Sequence, residues 1–346
     1  MFSRVAKRAS GHNLATLSMK DAALIVQNKG GGHGEIGYHL AKQLSSKGLA
    51  VTLLQDAAAK MDKPPFNDYE LLKSKHGVEV LACKLEDPAD IKDKLAGKAF
   101  SHVFDNFAKD KATAETVAGL ATAGWDVKSY AYVSSGGMYK SGAAQPMTED
   151  AATKETGQRE VEQFLAAAGL PWTSFRPQYI YGPFTNKRDY LDWFFNRIVR
   201  DRPCPLPGNG EQLLSISHVE DVARMMAGVV GKEAAASGQV FNCGTDSYVT
   251  YRALCELVGE TVGKKPKIVT YNPKDFDLPK GFFPFRDETF CVSPDKAKAV
   301  LGWSKSHWIE KELDWYYDAY KTAGLDRKAL TFETDDLILA KVGSPA

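Results

Sequence analysis

The amino-acid sequence predicts an α/β fold built on a parallel sheet, and three observations support this. Seven short apolar runs alternate with helical patterns, as in a sheet with crossover helices. A glycine-rich turn follows the first run and precedes a helical pattern at Tyr38–Ser46. The chain has 346 residues, 44% hydrophobic and 25% charged, which suits one large or two modest globular domains.

Each apolar run is short enough for a buried strand, and each helical pattern repeats its apolar residues every three to four positions. The predicted strands are Ala22–Val26, Ala50–Leu54, Val78–Leu81, His102–Phe104, Tyr130–Ser134, Thr173–Phe175 and Val240–Asn242. The predicted later helices are Ala112–Ala123, Arg159–Ala168, Tyr190–Arg200, Val219–Val230, Tyr251–Val262 and Glu310–Tyr320.

The glycine-rich turn has the spacing of a phosphate-binding loop. Gly31, Gly34 and Gly37 have the spacing G-x-x-G-x-x-G. Gly32, Gly34 and Gly37 have the spacing G-x-G-x-x-G. Glycines allow the backbone close to a pyrophosphate, and the helix N-terminus offers free N–H groups. We therefore predict a Rossmann-like, doubly wound parallel sheet, with NAD(P) as a candidate cofactor whose binding the sequence leaves open. The expected cofactor residues are Gly31, Gly32, Gly34, Glu35, Ile36, Gly37 and Asp56.

Asp56 belongs to this set because an acid about 20 residues past the glycines binds the adenosine ribose. Strict register places Gln55 at the strand tip instead, and an aspartate capping a loop is an equal alternative. No arginine follows, which disfavours a 2′-phosphate.

Composition divides the chain into regions. We predict a basic leader at 1–20, either a transit segment or a disordered tail, and a Rossmann-like domain at 21–180. Longer loops and more prolines predict a smaller, irregular C-terminal lobe at 181–330, with segments at about 215–245 returning to the sheet. Residues 331–346 are predicted to be a tail.

Charge, cysteine and histidine content exclude several classes. The formal net charge is +1, so any nucleic-acid binding requires a local basic patch. Five scattered cysteines indicate reduced thiols rather than a disulfide framework, and the seven histidines lack metal-ligand spacing, so we expect no zinc site. No apolar stretch approaches the roughly 20 residues of a membrane span.

Later stretches resemble the extended short-chain dehydrogenases/reductases. They are Val133–Tyr139, Arg176–Pro183, Pro207–Gln212, Ser217–Val222, Phe241–Gly244 and Leu301–Trp303. The resemblance implies a catalytic serine at Ser135, followed by a tyrosine and a lysine one helical turn apart. Here Glu155 and Arg159 occupy those positions. Glutamate near its ordinary pKa cannot supply a proton at neutral pH, and arginine does not relay protons. We therefore expect the redox machinery to be lost.

Within that superfamily the chain is similar to the chloroplast stem-loop-binding proteins. The matching segments are Asp105-Asn106, Ser174–Tyr179, Asp192–Arg202, Ser215–Val219, Tyr271–Asp277, Pro284–Asp287 and Phe332–Leu339. This resemblance implies RNA binding, association with ribosomes and endoribonuclease activity dependent on a divalent metal. It also implies a chloroplast location, with a mitochondrion as the alternative, and pairing with a second copy or a related chain.

Candidate residues for such a function fall into two groups. The predicted phosphate contacts are Lys187, Arg188, Arg197, Arg200 and Arg202. Trp193 and Phe194 lie among them, and either stack on bases or, as their shared helix face favours, pack inward. The predicted Mg²⁺ site combines Asp105 and Asn106 with Asp56 at the carboxyl ends of strands, with loop capping as the alternative.

Three hypotheses remain open on sequence alone. The first is an RNA-binding protein, with or without endonuclease activity. The second is an NAD(P)-dependent sugar-nucleotide epimerase or reductase with a rearranged acid/base set. The third is an NAD(P)-binding sensor or scaffold without catalysis. The Glu155/Arg159 pair argues against the second and does not separate the first from the third.

Overall fold

The computed structural model describes residues 21–27, 34–62, 64–185 and 188–343. Its thirteen strands are β1 (Ala22–Gln27), β2 (Ala50–Asp56), β3 (Glu79–Cys83), β4 (His102–Asn106), β5 (Ser129–Val133), β6 (Trp172–Pro177), β7 (Tyr179–Tyr181), β8 (Cys204–Pro207), β9 (Leu213–Leu214), β10 (Ile216–His218), β11 (Gln239–Cys243), β12 (Val249–Thr250) and β13 (Ile268–Tyr271).

The helices of these described residues number twelve. They are α1 (Gly34–Ser46), α2 (Tyr69–His76), α3 (Pro88–Lys94), α4 (Lys111–Gly124), α5 (Gly157–Ala167), α6 (Asp189–Ile198), α7 (Val219–Ala227), α8 (Glu233–Ala236), α9 (Tyr251–Val262), α10 (Asp295–Leu301), α11 (Ile309–Thr322) and α12 (Glu333–Val342).

A seven-stranded sheet in the order β11-β6-β5-β4-β1-β2-β3 forms the centre of the molecule. All its pairings are parallel, and its strands are the seven predicted from the sequence, which confirms the fold class. The chain runs outward from β1 to β3, then returns to the other side of β1 with β4. Ligands bind beyond the carboxyl ends of the strands at such a reversal.

Apolar side chains cover both faces of the sheet. On one face α1 and α7 pack against residues such as Ile25 and Phe104, and on the other α4 and α5 pack against residues such as Val103 and Tyr130. Residues 181–320 also build a separate aromatic core around α6, α9 and α11, with Phe194 and Phe195 at its centre. Within the same part of the chain, β11 returns to the edge of the sheet beside β6.

The end of the described chain differs from the prediction. Within the predicted tail, α12 packs against the lobe through buried Asp335 and Ile338. The apolar residues of this helix, Leu337 to Ala340, are consecutive rather than spaced three to four positions apart, and its main anchor is the buried Asp335–Arg197 ion pair. The predicted leader at 1–20 lies outside the described residues.

Candidate functional site

Gly37 brings α1 and β1 into close contact at the switch point. A Cβ at Gly37 would lie 2.0 Å from Gln27 Oε1, so any other residue would have to displace the buried Gln27 side chain. Gln27 is in turn held by Asn106, whose side-chain amide donates to it at 2.9 Å. Close helix–strand packing is the role of the last glycine in a dinucleotide-binding turn. Of the other predicted glycines, Gly34 begins α1, whereas Gly31 and Gly32 lie outside the described residues.

The remaining predicted cofactor residues lie around this turn. Ile36 is buried in the core, and Glu35 is buried beside it, with the Thr185 hydroxyl 3.4 Å from its Oε1. Asp56, not Gln55, is the last residue of β2. Its carboxylate accepts the Ala58 backbone N–H at 2.9 Å, so it caps a turn.

The structure corrects the predicted magnesium site. Asp105 is only 1% exposed, and its carboxylate accepts two backbone N–H groups, from Phe107 and Ala108, and the Tyr130 hydroxyl, each at 2.9 Å. Burial raises the pKa of Asp105, against the lowering effect of these bonds. The strands of Asp56 and Asp105 flank β1, about 10 Å apart. This arrangement caps a loop and does not fit a shared Mg²⁺ ion.

The predicted proton-transfer positions do not form a catalytic pair. Ser135 follows β5, and its hydroxyl accepts the Gly137 N–H at 3.0 Å. Thr156 caps α5, so Glu155 precedes the helix and is exposed. Arg159 lies inside the helix and donates to Glu162 at 2.9 Å. The two side chains therefore do not share a helix face.

Tyr139 is the phenol that follows Ser135 most closely in the chain, and it is fully buried. Its hydroxyl donates to Asn242 Oδ1 at 2.7 Å and accepts from Arg176 at 2.9 Å. Burial raises its pKa to about 12 despite the neighbouring guanidinium. A phenol with a raised pKa and a guanidinium partner is poorly suited to proton transfer at neutral pH.

Tyr139 contacts a buried ion pair that the sequence pattern did not predict. Arg176 makes two hydrogen bonds to the Glu162 carboxylate, at 2.9 and 2.7 Å, and both residues are buried. Burial alone would raise the pKa of Glu162, but bonds from Arg176, Ser174 and Arg159 outweigh it and lower the pKa. Arg159 is thus part of a structural network.

The segment around Arg286, between β13 and α10, packs against the loop that follows Ser135. The Arg286 guanidinium donates to the carbonyls of Gly137 at 2.7 Å and Tyr139 at 3.3 Å. It also lies 3.7 Å from the centre of the Phe290 ring. The Arg286 N–H donates to the Tyr179 hydroxyl at 3.1 Å, which fixes the backbone as well.

The predicted phosphate-binding arginines serve mainly internal contacts, which corrects that prediction. Arg197 is 6% exposed and makes two hydrogen bonds to buried Asp335, at 2.9 and 2.7 Å. Arg200 donates to the carbonyls of Leu325 and Lys328, Arg188 binds Asp192, and Arg202 pairs with Asp336. Lys187 lies outside the described residues. Trp193, Phe194 and Phe195 are buried, so these aromatics pack inward.

The comparisons with known proteins agree with this architecture. The model of the NAD dependent epimerase/dehydratase family matches residues 30–244, so the chain belongs to that family. Within it, the chain groups with the chloroplast stem-loop-binding proteins. It is 35% identical over 319 residues to "Chloroplast stem-loop binding protein of 41 kDa b, chloroplastic" of Arabidopsis thaliana, covering 90% of this chain and 83% of the relative.

Solved structures show the same fold at lower identity. UDP-glucose 4-epimerase of Thermotoga maritima, with UDP-glucose, has a TM-score of 0.67 and 21% identity over 87% of this chain and 99% of its own. UDP-glucuronic acid 4-epimerase of Bacillus cereus, in complex with NAD, has a TM-score of 0.67 and 15% identity over the same shares. Across the described residues, no helix has the length and apolar character that crossing a membrane requires.

Proposed function

We propose that this protein binds structured RNA on a dinucleotide-type scaffold from which the family's proton-transfer pair is missing. The observation that carries the proposal is its 35% identity, over 90% of the chain, to a relative named for stem-loop binding. The exposed Glu155 and the internally bonded Arg159 support it, because they leave no acid/base couple beside Ser135. The relative's name favours a chloroplast, and the mitochondrial alternative has no support among these relatives.

Exposed lysines offer a phosphate-binding surface in place of the arginines predicted from the sequence. The backbone carbonyl of Lys267 accepts from Cys204 N at 2.7 Å, and that of Lys328 accepts from Arg200 at 2.6 Å. These bonds bring the α9–β13 turn and the segment after α11 to the end of α6. Lys265, Lys267 and Lys328 are exposed there, and we call them the basic corner. Such ammonium groups neutralise phosphates and release counterions.

A salt titration of RNA binding tests the proposal. A stem-loop RNA is titrated with the full chain by filter binding at several salt concentrations, for the parent and for Lys265→Glu/Lys267→Glu. We expect weaker binding and a salt slope reduced by about 2, since each contact contributes roughly 0.9. The matched control is Lys47→Glu/Lys75→Glu, two exposed lysines at the ends of α1 and α2, which should leave both quantities unchanged. Salt-independent or absent binding by the parent would overturn the proposal.

We propose RNA binding alone. The metal-dependent cleavage that the resemblance implies stays a prediction, and Asp56 with Asp105 does not supply its metal site. By resemblance the ligand is a transcript end or ribosomal RNA, and pairing with a second copy or a related chain remains a prediction.

A second candidate, NAD(P) binding without turnover, is favoured by the close approach at Gly37. Gly34, Ile36 and Gly37 would hold the cofactor, with Asp56 on its ribose; the bound cofactor supplies hydride transfer in the family. Glu35 opposes an anion at this helix start, because a carboxylate in the first turn already interacts with the helix dipole. The test is thermal unfolding with NAD⁺ or NADP⁺: saturation at 100 Kd should stabilise the chain by about 2.7 kcal/mol, and no shift would reject the candidate.

A further inference from the structure

Three histidines from distant parts of the chain surround one carboxylate. His39 lies on α1, His218 ends β10, and His307 lies just before α11. Glu220, in the first turn of α7, faces all three: its Oε1 is 3.3 Å from His39 Nδ1, and its Oε2 is 3.5 Å from His307 Nε2. The ligand atoms of His218, Glu220 and His307 all lie within 4.8 Å of one another.

We propose that this cluster binds a first-row transition metal ion, with Zn²⁺ as the natural occupant, through Glu220, His307 and His218. The inference does not depend on RNA binding. Two ligands about 2.1 Å from one zinc ion at a tetrahedral angle are about 3.4 Å apart. The separation of 3.5 Å between Glu220 Oε2 and His307 Nε2 matches that spacing. Imidazole and carboxylate together favour Zn²⁺ and its neighbours over Mg²⁺, which prefers oxygen ligands alone.

The surrounding contacts orient His307 as metal-bound histidines usually are, and they orient His39 as a partner of the Glu220 ligand. His307 Nδ1 lies 3.1 Å from Glu312 Oε1, which leaves Nε2 facing Glu220. His39 Nε2 lies 3.0 Å from the Pro183 carbonyl, which leaves Nδ1 facing the other oxygen of Glu220. Metal-bound histidines commonly donate their second N–H to a carboxylate or a carbonyl.

Binding of one ion by both His218 and His307 requires one change in side-chain orientation. The His218 and His307 rings stack with centroids 3.7 Å apart and planes 13° from parallel, whereas two ligands of one ion must turn their ring edges toward it. His307 keeps its contacts with Glu312 and Glu220, and its backbone is held because its N–H donates to the Asp221 carboxylate at 3.1 Å. The adjustment therefore falls on His218, which ligates through Nε2 because its Nδ1 accepts the Glu220 N–H at 3.3 Å.

The cluster is also accessible. His307 lines a cavity of about 290 Å³ that is bounded by Thr245 and Tyr248, and the Glu220 side chain is 32% exposed. An ion can therefore enter from solvent, and a water molecule can complete its coordination. Such an open position distinguishes catalytic from closed structural zinc sites.

Metal titration of the untagged, chelator-treated full chain tests the site. Isothermal titration with Zn²⁺ should give one ion per chain, and Co²⁺ should develop the visible absorption of a tetrahedral site. His307→Gln and Glu220→Gln should abolish both signals, and Glu312→Gln should weaken binding roughly tenfold by releasing the His307 ring. The matched control is Glu260→Gln, an exposed acid on α9 outside the cavity that His307 lines, which should bind as the parent does.

Two results would overturn the proposal. One is absence of Zn²⁺ binding by the parent, which would make the cluster a histidine–carboxylate ion network. The other is unchanged affinity in both His307→Gln and Glu220→Gln. Circular dichroism of the metal-free variants separates ligand loss from misfolding. RNA binding is measured in the same samples, so failure of the metal site and failure of the proposed function are recorded independently.

Discussion

The cofactor side of the sheet and the proton-transfer side differ in what their functional positions now do. On the cofactor side, Gly37 still admits the close approach of α1 to Gln27 that a dinucleotide-binding turn requires. On the other side, Glu155 is exposed and Arg159 joins the buried Glu162–Arg176 pair. One side keeps the close packing of α1 against Gln27, whereas on the other side charged groups form a structural ion network.

This difference shows that scaffold and chemistry depend on different features. The scaffold requires a small residue where α1 meets the buried Gln27 side chain, and a larger one there would displace that side chain. Proton transfer requires two side chains on one helix face, and a cap at Thr156 is enough to separate their positions.

The largest effect is expected from Glu162→Gln. It leaves the Arg176 charge buried without its ion partner, which should lower the free energy of unfolding by about 3–5 kcal/mol. Urea denaturation measures this change. Glu155→Gln is the matched control, since Glu155 is exposed and its replacement should leave stability unchanged. Equal stability of the two variants would contradict the assignment of Glu162 to a structural network.

On the cofactor side, Gly37→Ala should destabilise the fold by about 1–3 kcal/mol, because the added methyl overlaps Gln27 Oε1. Thermal or urea unfolding gives the value. Gly119→Ala on α4 is the control: nothing lies within 4 Å of its Cβ position, so alanine should stabilise the helix by up to about 1 kcal/mol. A neutral Gly37→Ala would show that α1 is not held against β1 by this contact.

The contribution of the Glu162–Arg176 pair to the free energy of unfolding should depend on pH. The folded-state pKa of Glu162 is lowered because hydrogen bonds from Arg176, Ser174 and Arg159 outweigh burial. Its contribution is therefore fully present above the unfolded pKa, about 4.3, and is lost as the pH falls through the lower folded-state value. Unfolding free energies measured from pH 6 to pH 2 should fall less steeply in Glu162→Gln than in the parent. Parallel pH curves for the parent and Glu162→Gln would contradict the lowered pKa of Glu162.

The smallest expected effect is that of Glu155→Tyr/Arg159→Lys. Restoring the residue types should not restore hydride transfer, because position 155 precedes the Thr156 cap and lies outside the helix that carries position 159. Absorbance of reduced cofactor, with NAD⁺ and UDP-sugars as substrates, reports the outcome. Turnover by this variant would show that only the residue types had been lost.

Much of the architecture follows from the sequence, because buried strands are continuous apolar runs. All seven strands of the sheet were predictable in this way, and so was α9, with Thr250 as its cap and Gly263 at its end. Helix α12 was missed because it is held by the Asp335–Arg197 ion pair, whose partners are 138 residues apart. No periodic pattern carries that information.

The site was less predictable, for the same reason. Asp105 at a strand end is equally a metal ligand or a loop cap until its neighbours Phe107, Ala108 and Tyr130 are located. The cluster around Glu220 assembles histidines from α1, β10 and the segment before α11, so no local spacing reveals it. A partial signal was available at His218 and Glu220, which are two residues apart in the sequence.

Photochemical crosslinking of a stem-loop RNA to the full chain tests the central claim most directly, with the crosslinked peptides identified by mass spectrometry. We expect crosslinks in peptides from the basic corner, around Lys265, Lys267 and Lys328, that disappear as salt rises. Crosslinks confined to the α1 and Ser135 region, or none at all, would contradict it.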